Sequence, residues 1–574
     1  MVTQSPFPSR RLALSLALFF CVLDITFAQA AMPDVRILID VSGSMRKNDP
    51  RNLRIPALRL VTQLLPEGAK AGVWLFDETA KAIVPLGSVN AMWKKQARAE
   101  STKINARGQF TDIENGLNTA SVDWKTPTTP DSPRHIILLT DGMVDVSENA
   151  AESAQSRARL LSTTLPRLRM LGAHIHAIAL SAEADSALLD AMAHGTDGWF
   201  QSINTASSLQ RIFLHLFEQA ATPDSLPLRD NHFTIDPSVR ELTVLVFHHP
   251  DGPPLELVAP DGAHLTRAST SDSLVWESEE GYDMVTLTRP RAGTWSLNAP
   301  VDPDNRALVV TDLSLKLDEL PTHLMPDEPL PVIARLLEHG KPEIRQEFLK
   351  LVKADTATLG AAGKGDVATL TLDSRESYFN GTGATLRDPG DYELIVRAEG
   401  PTFQREHHHH FKIDGPPFKF RATEAKDDTG ARVIHLSTVA NPDLVSNGSF
   451  SGLLELRTPG APPQVLEIPP LEGNEITLEL AAPSAGKYIL QPWIFAETRA
   501  GRSFRLKPDP MMITFADGTK TAQTSAPLTS QASASDWERT VLVILAGNCA
   551  LALPIACLGW LARRRNRSEP RLSL

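Results

Sequence analysis

The sequence predicts an α/β domain, Rossmann-like with a mostly parallel sheet and helices on both faces, followed by β-sandwich modules and one C-terminal transmembrane helix. Three observations carry this. Over 31–220 the short apolar runs "VRILID", "AGVWLF", "RHIILLTD" and "AHIHAIAL" alternate with amphipathic stretches at 53–65, 113–120, 149–171, 185–192 and 207–219. Such alternation builds a parallel sheet covered on both sides. From about 230 to 515 the texture changes to strand-like segments such as "ELTVLVF", "DYELIVRAEG" and "KYILQPWIF", broken by Pro, Gly and Asp. Regular short strands with frequent turn signals suit roughly three sandwich modules of about 100 residues each. Near the end, "TVLVILAGNCALALPIACLGWLA" at 540–562 carries no charge and is long enough to cross about 30 Å of hydrocarbon.

In chain order, 1–30 reads as a signal peptide: Arg10 and Arg11, an apolar run, then Ala28 and Ala30 fitting the cleavage rule. The α/β domain occupies 31–220, and the modules fall at 228–302, 303–415 (immunoglobulin-like) and 416–515. A small, polar stretch at 516–538 reads as a flexible tether, and the span 540–562 is followed by a basic tail at 563–574. The "RRRNR" after the span places the tail in the cytoplasm by the positive-inside rule. The expectation is a single-pass protein of a bacterial inner membrane with an N-terminal ectodomain in the periplasm. The cysteines, Cys21, Cys549 and Cys557, all lie outside the ectodomain, which must therefore rest on ordinary cores. At 574 residues and a formal charge of -11, with no long basic stretch in the body, a broad nucleic-acid surface is excluded.

The chemistry concentrates at strand ends. In an open parallel sheet the loops leaving the carboxyl ends gather at one edge. The first strand ends in "DVSGSM", placing Asp40, Ser42 and Ser44 there, "GQFTDIENGLNTA" puts Thr111 and Asp112 before a helix, and "RHIILLTDGMVD" ends at Asp141. Taken singly these are a turn, a helix cap and a strand end. Together they offer hydroxyls and few carboxylates to a hard cation such as magnesium, which takes about six oxygens and keeps several as water.

Asp40-x-Ser42-x-Ser44, Thr111 and Asp141 resemble, in order and spacing, the metal-ion-dependent adhesion site of the von Willebrand factor type A family. "AHGTDGWFQSINTASSLQRIF" at 193–213 also resembles that family's closing strand and helix. The resemblance implies that Ser42, Ser44 and Thr111 hold a divalent cation, Mg2+ with Mn2+ or Ca2+ as alternatives, while Asp40 and Asp141 bind directly or through water. It implies further that an acidic residue of a protein partner completes the sphere. Asp112 is expected to cap its helix.

Other signals are weaker. The run His407 to His410 is expected as a solvated strand, His174 and His176 as packed, and Glu279 with Glu280 as surface charge. "GAAGKGD" at 360–366 lacks the spacing and hydroxyl of a phosphate loop. No HExxH motif or GxSxG elbow is present, so the expectation is a binding protein and not an enzyme. The runner-up readings are a component of an envelope assembly or maturation complex and a scaffold with a structural ion.

Overall fold

The computed structural model describes residues 32–129, 132–203, 208–248, 252–360 and 366–516. The leader 1–30, the span 540–562, the tail 563–574 and the tether 516–538 beyond its first residue lie outside the described residues, as do all three cysteines. Among the described residues no helix is long and apolar enough to cross a membrane.

Six strands form the first sheet: β1 (Asp34–Asp40), β2 (Lys70–Phe76), β3 (Ala80–Ser88), β4 (Arg134–Thr140), β5 (Ala173–Ala179) and β6 (Phe200–Ser202). They are ordered β3-β2-β1-β4-β5-β6, all parallel except β3. The helices are α1 (Met45–Asn48), α2 (Arg54–Leu64), α3 (Ala91–Glu100), α4 (Ile113–Ala120), α5 (Ala150–Arg159), α6 (Leu165–Met170), α7 (Ser186–His194) and α8 (Leu209–Ala221). Their starts follow local chemistry: Asn90, Asp112, Asn149 and Asp185 accept from backbone N–H groups at the head of α3, α4, α5 and α7. β1 is buried along its whole length because both faces are covered. One face packs Leu58, Val61, Phe213 and Leu216 of α2 and α8; the other packs Leu117, Leu168 and Leu188 of α4, α6 and α7.

The α2 and α8 side does not end at solvent. Its core continues into Leu245, Phe247, Tyr282, Met284 and Leu308 of the first β region, and the Tyr282 hydroxyl donates to the Pro56 carbonyl at 3.1 Å. Glu279 and Glu280, expected as surface charge, belong to this contact. Glu279 accepts from Arg59 at 3.0 Å and Arg98 at 2.6 Å, and Glu280 pairs with Arg51 at 2.6 Å.

In the first β region a four-stranded sheet shares a core with strands Val239–Phe247, Tyr282–Thr288 and Arg306–Thr311. Arg306–Thr311 pairs with Val239–Phe247, so hydrogen bonding runs past position 302. Ser225–Leu226 then pairs with both Arg306–Thr311 and Gln404–Ile413, joining the first two β regions in one sheet of 14 strands. The third region, Phe418 to Phe515, packs sheets of three and five strands around Leu436, Leu454, Tyr488 and Ile494.

The histidine run departs from expectation. It lies in Gln404–Ile413, where His407, His409 and His410 are buried. The strand is paired along its length to Gly390–Glu399 and, on its other edge, to Ser225 and to His323–Leu324. Gln219 of α8 donates to the His410 carbonyl from above. These neighbours come from distant parts of the chain, which a local reading cannot see.

Candidate metal centre

The strand order reverses between β1 and β4, and at such a point the diverging connections leave a crevice at the carboxyl edge. Asp40 ends β1 there, fully buried. Its Oδ1 accepts from the Ser42 N–H at 2.8 Å and its Oδ2 from the Thr140 hydroxyl at 2.6 Å. Its carbonyl accepts from Arg54 at 2.7 Å, and Arg54 is held in turn by buried Asp49 at 2.8 Å.

Next along the edge, the Ser42 and Ser44 hydroxyls lie 3.0 Å apart, and Ser44 donates to Asp141 Oδ1 at 2.7 Å. Asn48 donates to the other Asp141 oxygen at 2.8 Å. Thr111 is brought in by backbone bonds. Its N–H donates to the Asp145 carbonyl at 2.6 Å, and the Asp145 N–H returns to Thr111 at 3.2 Å. The Arg107 and Gly108 N–H groups both donate to the Val41 carbonyl at 3.0 Å, tying the Thr111 loop to the Ser42 loop. A Cβ placed on Gly142 would lie 3.5 Å from Thr111 Oγ1 and 3.9 Å from Ser44 Oγ, so these two hydroxyls border one small space. Asp112 caps α4, accepting from the Asn115 N–H at 2.8 Å.

The structure thus gathers Asp40, Ser42, Ser44, Thr111 and Asp141 at one edge. Local spacing does not point to Asn48, Arg54 or Thr140, whose supporting roles come from contacts between segments distant in the chain. Burial raises the Asp40 pKa to about 6 against the hydrogen bonds from Thr140 and Ser42, and the nearby charge of Asp141 adds to the rise. Among the described residues, the side-chain carboxylates of Asp40 and Asp141 accept from hydroxyl and N–H donors, with no basic side chain on them. An all-oxygen set of three hydroxyls and two carboxylates without a basic partner fits a hard divalent cation. The rim is solvent-facing: Ser44, Arg46, Lys47 and Arg107 are exposed and Met143 is 63% exposed.

A cavity of about 350 Å³ lies elsewhere, at the amino edge against the second β region, lined by His135, His174, His176, Lys316, His407 and His409. It is remote from the strand-end oxygens.

The family model of the von Willebrand factor type A domain matches residues 35–160, which span β1 to the end of α5 and include all five oxygen-bearing residues. The α/β unit is a von Willebrand factor type A domain. Among solved structures the chain is similar to a von Willebrand factor type A protein from Catenulispora acidiphila, at 18% identity and a TM-score of 0.27, over 54% of this chain and 64% of that one. It is also similar to the ArnB paralog VWA2 from Sulfolobus acidocaldarius, at 13% identity and 0.24, over 63% and 67%. A third likeness is to the vWF domain of the type V pili tip protein Mfa5 from Porphyromonas gingivalis, at 14% and 0.27, over 33% and 95%. The chain spans about two thirds of the length of the first two, and at these TM-scores none bears on function. No curated protein matches the chain.

Proposed function

We propose that this chain is a membrane-anchored binding protein whose carboxyl-edge site holds a divalent cation and through it an acidic residue of a partner protein. The observation that carries the reading is the linked set Ser42, Ser44 and Asp141 beside buried Asp40, whose carboxylates have, among the described residues, hydroxyl and N–H donors but no cationic side chain on them. Ser42, Ser44 and Thr111 would supply neutral oxygens, Asp40 and Asp141 the charge. A bound cation supplies a point of positive charge that two carboxylates leave open to an outside carboxylate.

The protein residues do the rest. Arg54 and Thr140 fix Asp40, Asn48 orients Asp141, and the paired loops hold Thr111 in place. Arg46 and Arg107 give the rim a positive field suited to an acidic partner, and exposed Met143 offers an apolar contact beside it. The span 540–562 would anchor the chain in a bacterial inner membrane with this edge in the periplasm, in a binding and not a catalytic role.

The test is partner capture from envelope extracts by the full chain, with and without chelator, alongside Asp40→Ala. Partners released by chelator and absent from the variant support the reading. Partners retained equally in all three conditions would leave the ion, at most, a stiffener of the scaffold.

A further inference from the structure

The junction between the type A domain and the second β region holds a second group of ligand-type side chains, chemically unlike the first. His194 ends α7. His323 lies in a two-residue strand paired to Lys412 and Ile413, and Asp414 directly follows that pairing. All three are buried, at 9%, 4% and 3% exposed. His194 Nε2 lies 3.0 Å and His323 Nδ1 3.3 Å from the same oxygen, Asp414 Oδ1. One ligand atom from each residue falls within 4.8 Å of the others.

The outer nitrogens decide what the inner ones are. His194 Nδ1 is 3.1 Å from the Asp190 carbonyl and His323 Nε2 is 2.9 Å from the Gly198 carbonyl. A carbonyl only accepts, so both outer nitrogens carry hydrogens, and in the neutral rings both inner nitrogens present lone pairs toward a carboxylate. That arrangement calls for a positive species between them, either protons or a metal ion. Protons on the rings would satisfy Asp414 Oδ1 alone, yet Asp414 Oδ2 is also buried and, among the described residues, has no hydrogen-bond partner. A metal ion uses both features, since it takes the inner lone pairs and draws on the carboxylate as a ligand.

We propose that His194, His323 and Asp414 form a zinc site that staples α7 of the type A domain to the second β region. Two imidazoles and one carboxylate are a zinc donor set, with water in the fourth position. Imidazole ligands whose far nitrogens donate to carbonyls are the usual support of such a site. The ligands belong to three separated segments, so the ion crosses the domain junction. The site is independent of the hard-cation reading at Asp40, which uses oxygens alone at the opposite edge of the sheet.

The test uses the full chain carrying Asp40→Ala, stripped with chelator and then titrated with zinc alone and with cobalt alone in excess magnesium. One zinc retained per chain, visible bands of four-coordinate cobalt and a higher melting temperature with zinc are expected. His323→Gln, which can keep the bond to Gly198, and Asp414→Asn should each weaken zinc by more than the roughly 10- to 100-fold typical of outer-shell changes and abolish the cobalt bands. Circular dichroism identifies the variants that fold, and either one alone suffices. A folded parent chain that retains no zinc, or a folded variant that binds it as the parent does, overturns the proposal.

Discussion

The two edges of the parallel sheet treat carboxylates in opposite ways. At the carboxyl edge, Asp40 and Asp141 are held by hydroxyls and N–H groups. At the covered amino edge and its junction, most carboxylates face basic side chains. Buried Glu218 pairs with Arg306 at 2.6 Å and His410 at 3.1 Å, Glu393 with His408 at 2.6 Å, and Glu406 with Arg397 at 3.2 Å. A buried charge is tolerated when paired and costly when not. Apart from Asp414, the buried carboxylates of the junction are therefore paired, which suits a permanent contact. At the outer edge the two carboxylates themselves, inside a basic rim, are left without a cationic side chain, which suits an exchangeable cation.

The contrast breaks most visibly at Glu218. Glu218→Ala leaves Arg306, itself 3% exposed, with only the longer contact to Glu393 at 3.3 Å, and loss of about 3 kcal/mol, the lower end for a broken buried pair, is expected in urea unfolding. A change under about 1 kcal/mol would show that the junction does not depend on charge pairing.

A smaller effect is expected from pH. Burial and the charge of Arg306 push the His408 pKa down, but the bonds with Glu393 and Glu406 overrule them and hold it up at about 9. Because this lies above the unfolded value of 6.5, the stabilisation is fully present below pH 6.5 and disappears as pH rises through 9. Its size is on the order of 3 kcal/mol. Melting temperatures at pH 6 and pH 9.5 should therefore diverge in the parent and diverge less in His408→Gln, the remainder coming from His194, whose pKa is also raised; equal gaps in both would count against it.

At the outer edge the sign reverses. Asp40, with its pKa raised to about 6, opposes folding when ionised at pH 7 without a cation. Asp40→Asn in chelator should therefore hold stability level or raise it by up to about 2 kcal/mol. Clear destabilisation would mean that the carboxylate is already compensated by the protein. The smallest effect belongs to Lys47 and Glu183, 3.0 Å apart with both side chains more than 70% exposed. Lys47→Ala should shift stability by under about 0.5 kcal/mol, and a larger change would point to a rim more rigid than its exposure suggests.

Much of the outer edge was legible in the sequence because strand ends follow simple rules: Asp40 and Asp141 each close or follow an apolar run, and Thr111 precedes a capped helix. The junction was not. The histidine run sits between charged and apolar residues like any exposed strand, and only Glu218, Arg306 and Glu393, brought from far along the chain, make it interior. Asp414 and His323 were equally unreadable, since nothing local joins them to His194. The continuity of the sheet through Ser225–Leu226 is not legible in the sequence because a two-residue strand leaves no periodic signal.

The central claim is tested most directly by calorimetric titration of the full chain with manganese and with magnesium, in a His323→Gln background that removes the junction ligands. The account predicts one saturable site, lost in Asp40→Ala and in Ser44→Ala while both variants melt as folded proteins. Binding that survives both substitutions, or none by a folded parent chain even with an acidic peptide present to complete the sphere, would contradict it.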